Sequence, residues 1–171
     1  MATSWRGHEP VAAALVAWCA AAAPWWFAFH GVEPYMDEIF HVPQAQKYCG
    51  GRFGEWDPKI TTFPGLYLAA AFLGTNASCS VTLLRSLNLL FGAGCLLLMY
   101  ALLQRRMSTA KAALHALVLS LYPIHFFYTF LFYTDVGSLF FVLLTHHLAT
   151  PWPRCALPSR SRLACAAGAG A

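Results

Sequence analysis

The sequence predicts an all-α membrane protein of about four transmembrane helices with a large luminal first loop. Three observations predict it. The 171 residues are 58% hydrophobic and 11% charged, with a mean hydropathy of +0.53, well above that of ordinary water-soluble domains. The apolar residues come in long blocks separated by short polar or basic segments. Five of the 7 acidic residues, Glu33, Asp37, Glu38, Glu55 and Asp57, are gathered in residues 33–64 between two such blocks. The net charge of +4 is modest and its carriers are scattered between hydrophobic blocks, the pattern of topology signals rather than of a nucleic-acid surface.

Taken in order, residues 1–10 make a short cytoplasmic N-terminus carrying Arg6 and His8. Residues 11–29 contain no charge and approach the roughly 20 apolar residues needed to cross a hydrocarbon core. Trp25, Trp26 and Phe27 form an interfacial aromatic belt, which favours a retained span over a cleaved signal peptide. Residues 30–80 form the luminal loop, and the short apolar run beginning at Gly65 suits an interfacial or re-entrant helix. Asn76, in Asn76-Ala77-Ser78, fits an N-glycosylation acceptor pattern.

Residues 81–103 supply a second span. Arg85 near its start is expected to snorkel to the interface, with an anionic head-group contact as the alternative. Residues 104–111 carry Arg105, Arg106 and Lys111 and no acid, which marks the cytoplasmic side. Residues 112–149 suit a transmembrane hairpin, helices 3 and 4, turning near residues 130–135, with Pro123 bending the ascending helix. Residues 150–171 are rich in Pro, Arg, Ser, Ala and Gly; a disordered tail is expected, joined on where a longer membrane protein stops.

The six cysteines form no CxxC or CxxH spacing, so no zinc or redox motif is visible. Cys19 and Cys95 are expected to pack as small apolar residues, and a disulfide between Cys49 and Cys79 stays open.

Three constellations can carry chemistry. In EPYMDEIFHVPQAQKY, Asp37 and Glu38 point about 100° apart on a helix, so they do not form a close carboxylate pair on one face. One of them can serve as a lone base, with His41 four residues after Asp37 as an orienting partner. The plainer reading is that they solvate and cap a loop helix. Metal binding by Asp37 and His41 needs further ligands, and no metal or other cofactor is assigned. Asp135, isolated in FLFYTDVGS, either faces a cavity or N-caps the following helix. In WDPKITTFPGLY, Pro58 and Pro64 fix turns, and Lys59 suits a surface ion pair.

EPYMDEIFHVPQAQKYC, WDPKITTFPGLYL, LLRSLNLLF and FLFYTDVGS, in this order and spacing, resemble the N-terminal part of the dolichyl-phosphoglucose-dependent α-1,2-glucosyltransferases of the endoplasmic reticulum. The resemblance covers about residues 33–148. It implies the glycosyltransferase C architecture, a multi-pass location in the endoplasmic reticulum membrane and a role in protein N-glycosylation. It further implies metal-independent, inverting transfer of the last glucose from dolichyl phosphate glucose to the dolichyl-diphosphate-linked, diglucosylated oligosaccharide. On the matching positions, Asp37 takes the place of the general base with Glu38 beside it, and Asp135 that of a second luminal acidic position. His41, Trp56, Asp57 and Lys59 fall in segments bordering the substrate groove. Members continue through many further helices, so little or no activity is expected of this chain alone. A non-catalytic membrane interaction protein is the alternative.

Overall fold

The computed structural model describes residues 8–74 and 79–150, and no strand occurs among them. Asn76 and the tail beyond residue 150 lie outside the described residues.

Helix α1, Glu9–Phe29, opens with a proline in its first turn, where a missing N–H breaks no helical bond, and with Glu9 at the positive end of the helix dipole. It carries Pro24 in its interior and still runs to Phe29. Helix α4, Val81–Leu103, is capped by Ser80, whose Oγ accepts the Leu83 N–H at 3.2 Å. Among the described residues, α1 and α4 are the helices long and apolar enough to cross a bilayer.

The region expected to be a two-helix hairpin is divided into three: α5, Thr109–Ser120; α6, Pro123–Tyr128; and α7, Thr134–Ala149. Pro123 does not bend a continuous helix. It opens α6, with Tyr122 at ψ 126° before it, because the proline ring disfavours helical backbone at the preceding residue. Residues 129–133 between α6 and α7 are irregular yet almost entirely buried.

Helix α4 is the hub, packed against α7, α5 and α1. Ala112, Ala113 and Ala116 of α5 meet Ala14 of α1 and Tyr100 of α4, and these small side chains let the helix axes approach. Gly92 admits the irregular segment: a Cβ there would lie 2.5 Å from Thr129 Cγ2. Above this bundle lies a second layer of α2, Glu38–Cys49, and α3, Gly65–Gly74. Val42, Ala45, Tyr48, Leu66 and Tyr67 of these helices pack with Leu84 of α4 and Phe132 of the irregular segment. A Cys49–Cys79 disulfide ties the end of α2 to the start of α4. Cys95 is buried as expected, whereas Cys19 is exposed on α1.

Candidate functional site

The polar centre is built where the α2 layer meets α4 and residues 129–133. Arg85 and Asn88, three residues apart on α4, share one helix face, and both are fully buried. Arg85 does not snorkel. All five of its donors are engaged: Nε with Glu38 Oε1 at 2.9 Å, Nη2 with Glu38 Oε2 at 2.6 Å, and the remainder with the carbonyls of Phe29, Val32 and Glu33. The local sequence offers Arg85 no partner; the partner lies 47 positions away.

Glu38 is equally committed. Besides the two arginine bonds, Oε1 accepts the Phe132 N–H at 2.6 Å and Oε2 the Tyr35 N–H at 3.0 Å. Its side chain is 0% exposed, so every acceptor site faces protein. Asn88 completes the arrangement by donating from Nδ2 to the carbonyls of Leu131, at 2.6 Å, and Tyr133, at 2.7 Å. Buried irregular backbone persists only when its polar groups are bonded, and Glu38 and Asn88 bond the Phe132 N–H and the Leu131 and Tyr133 carbonyls.

Asp37 and Glu38, adjacent in sequence, are thereby separated in role: Glu38 enters the core and Asp37 stays exposed. Asp37 occupies the N-cap position of α2, but its carboxylate makes no capping bond. Its backbone is helical, φ −73° and ψ −7°, and it follows Met36 in a left-handed conformation, φ 52°. An unbranched residue held there costs on the order of 1–3 kcal/mol, a strain that recurs where geometry is set for function. The Asp37 N–H donates to Tyr133 Oη at 2.7 Å, across 96 positions.

Tyr133 is two residues before Asp135, so this bond brings the two acidic segments together. Asp135 is exposed in the first turn of α7 and is not its N-cap; Tyr133 holds that position, without a side-chain capping bond. His41 lies between: its ring packs on Tyr67 and edge-on to Tyr133, and Nδ1 sits 2.6 Å from Tyr67 Oη. Burial lowers the His41 pKa against opposing pulls from Asp37, Asp135 and Glu38, and burial raises that of Tyr67. The pair is thus a neutral imidazole beside a protonated phenol.

The unfolded chain binds the His41 proton more readily, so this contribution to stability is full above pH about 6.5 and is lost as pH falls toward the folded-state pKa. The unfolding midpoint of the chain in micelles should decline below that pH, and His41→Gln should flatten the decline. Identical profiles for the two proteins would contradict it.

Trp56, Asp57 and Lys59 sit elsewhere on the same layer. Buried Gln44 clamps the backbone on either side of Trp56, donating to the Glu55 carbonyl at 2.7 Å and accepting from the Asp57 N–H at 2.9 Å. Trp56 meets Tyr67 edge-on and donates to the Ile60 carbonyl. Among the described residues Lys59 makes no ion pair: its Nζ lies over the Phe40 ring, 5.2 Å from the centroid, because the acids nearest in sequence are turned to other partners or to backbone. None of the three hydrogen-bonds to Asp37 or Asp135.

Two hollows flank the start of α7. One, about 330 Å³, is mostly apolar and lies among Phe63, Leu66, Phe91, Thr134, Gly137 and Phe141. The other, about 250 Å³, is lined by Asp135 with Tyr122, His125 and Tyr128. No metal cluster of three or more His, Cys, Asp or Glu side chains occurs among the described residues. Sequence reasoning missed Tyr133, Tyr67 and Gln44, whose roles exist only through contacts with distant segments.

Residues 31–169 match the DIE2/ALG10 family. The chain is 48% identical over 130 residues to an Arabidopsis thaliana protein called Dol-P-Glc:Glc(2)Man(9)GlcNAc(2)-PP-Dol alpha-1,2-glucosyltransferase, covering 65% of this chain and 26% of that one. Proteins of the same name from Rattus norvegicus and Homo sapiens are 45% and 43% identical over 132 residues, covering 67% of this chain and 28% of each. The chain therefore spans about a quarter of the length of these curated relatives. No solved structure matches it.

Proposed function

Since the chain belongs to the DIE2/ALG10 family, we propose that it forms the base-bearing luminal part of an α-1,2-glucosyltransferase site in the endoplasmic reticulum membrane. In this reading α1 and α4 cross the bilayer, α5 with α6 makes a third passage and α7 a fourth, within a glycosyltransferase C fold. Both chain ends are cytoplasmic, as the basic loop at Arg105 and Arg106 favours. The relatives' names supply the donor, dolichyl phosphate glucose, and the diglucosylated lipid-linked acceptor.

Asp37 removes the proton from the acceptor's 2-hydroxyl. The oxygen attacks the anomeric carbon of the donor glucose, and the bond to phosphate breaks, so dolichyl phosphate departs with the bonding pair and the sugar carbon inverts. Glu38 transfers no proton in this scheme; its carboxylate positions the segments that carry Asp37 and Asp135. Asp135 and His41 border the acceptor, and the apolar hollow beside Thr134 accommodates part of an isoprenoid chain. Trp56, Asp57 and Lys59 shape the outer rim of the groove. The observation that carries the reading is an Asp37 carboxylate without hydrogen bond or ion pair among the described residues, held beside the Asp135 segment by the Asp37–Tyr133 and Glu38–Phe132 bonds.

The test uses cells lacking the terminal glucosyltransferase. They receive this chain alone, or this chain joined at residue 149 to the remaining portion of the Rattus norvegicus relative. The joined protein is expected to restore the third glucose on the lipid-linked oligosaccharide, and the chain alone to restore none. A joined protein that is stably expressed yet transfers no glucose would overturn the reading in favour of a non-catalytic membrane interaction protein.

A further inference from the structure

Asp37 occupies a position where aspartate ordinarily turns its carboxylate back onto the helix's own amides. Ser80 shows the usual geometry in this same chain. Its backbone is extended, φ −68° and ψ 156°, and its Oγ accepts the Leu83 N–H. Asp37 departs from it: its ψ of −7° is helical and its side chain makes no capping bond. A carboxylate that accepts helix amides is a weaker base than one left free, because those bonds favour its charged form.

Two contacts surround the departure. The amide of Asp37 donates to Tyr133 Oη at 2.7 Å, and the residue before it, Met36, is left-handed. Tyr133 itself cannot drift. Its ring packs against Tyr128 and His41, the residue is 5% exposed, and its carbonyl is bonded to Asn88 Nδ2 at 2.7 Å. The Phe132 N–H beside it is held by Glu38. The hydroxyl is thus a fixed acceptor aimed at the base-bearing backbone.

We propose that Tyr133 is a positioning residue for Asp37: by accepting the Asp37 amide proton it holds that residue in helical backbone and keeps its carboxylate off the amides of α2. The proposal deepens the glucosyltransferase reading and rests on it for the carboxylate's use as a base. Without the hydroxyl, Asp37 rotates toward extended backbone, caps α2 as Ser80 caps α4, and becomes a poorer proton acceptor.

The experiment is carbodiimide coupling of the full chain in lipid nanodiscs, with labelling at Asp37, Glu33 and Asp57 read by peptide mass spectrometry. A cooperative denaturant-unfolding transition close to that of the parent reports the fold. In Tyr133→Phe, labelling of Asp37 is expected to fall several-fold while Glu33 and Asp57 keep their levels, a selectivity that loosening of the loop would not produce. Unchanged Asp37 labelling in a folded Tyr133→Phe would overturn the proposal. Met36→Gly provides a second reading if that variant fails to fold. With the Tyr133 bond intact, Asp37 labelling should stay at the wild-type level, and a selective fall would place control in Met36 instead. In the joined glucosyltransferase, Tyr133→Phe should lower kcat with KM little changed. Labelling does not depend on what Asp37 acts upon, so failure of glucose transfer refutes the activity while the Tyr133 coupling is judged separately.

Discussion

Arg85→Met is expected to destabilise the folded chain by about 3–5 kcal/mol, the usual consequence of removing one partner from a buried ion pair. The substitution leaves Glu38 with two of its four bonds in a site that is 0% exposed, and it frees the carbonyls of Phe29, Val32 and Glu33. Glu38 must then be protonated or draw in water, and either outcome loosens its hold on Phe132 and Tyr35. Arg85→Lys should also be costly, since one ammonium cannot reproduce the forked arrangement that reaches both carboxylate oxygens and three carbonyls. Adding Glu38→Gln to Arg85→Met should recover part of the loss, because a neutral amide is cheaper to bury than an unpaired charge. Denaturant unfolding in micelles measures all three. A cost for Arg85→Met below about 1 kcal/mol, the level of a surface pair, would show that the bond network is not what holds the layer.

Asp37→Asn is expected to lower glucose transfer by the joined glucosyltransferase by about 10²–10⁴-fold, the range for loss of a general base. The amide is nearly isosteric and cannot take a proton from the acceptor hydroxyl. Asp37 is exposed and its side chain bonds to nothing among the described residues, so the unfolding transition and membrane level should stay close to those of the parent. That combination distinguishes it from Glu38→Gln, which should lower stability and activity together. Wild-type transfer by Asp37→Asn would refute the base assignment.

Much of the local framework was legible in the sequence. Apolar blocks of bilayer length marked the helices that became α1 and α4, and the acidic stretch after the first block marked the region holding α2. The apolar run over residues 81–103 places Arg85 near the start of a helix, but nothing local to it names Glu38 as its partner. The break at Pro123 is not decided by sequence: a proline that bends a helix and one that begins a new helix look alike until the preceding residue's backbone is known. The alternatives for Asp135 also need three dimensions, because capping depends on whether the residue falls at the N-cap or, as Asp135 does, two residues past it.

The sequence by itself determined which segments are apolar enough to form membrane-length helices, and where the acidic residues are gathered, since hydrophobicity and helical period are local properties. Only the tertiary structure decided that Glu38 is the buried partner of Arg85 and that Tyr133 meets the Asp37 amide. Those pairings join residues 47 and 96 positions apart. The physical reason is that a charge or an amide has a local address but no local partner. Which partner it finds depends on how α4, α7 and the α2 layer pack, and adjacent carboxylates such as Asp37 and Glu38 acquire opposite roles from that packing alone.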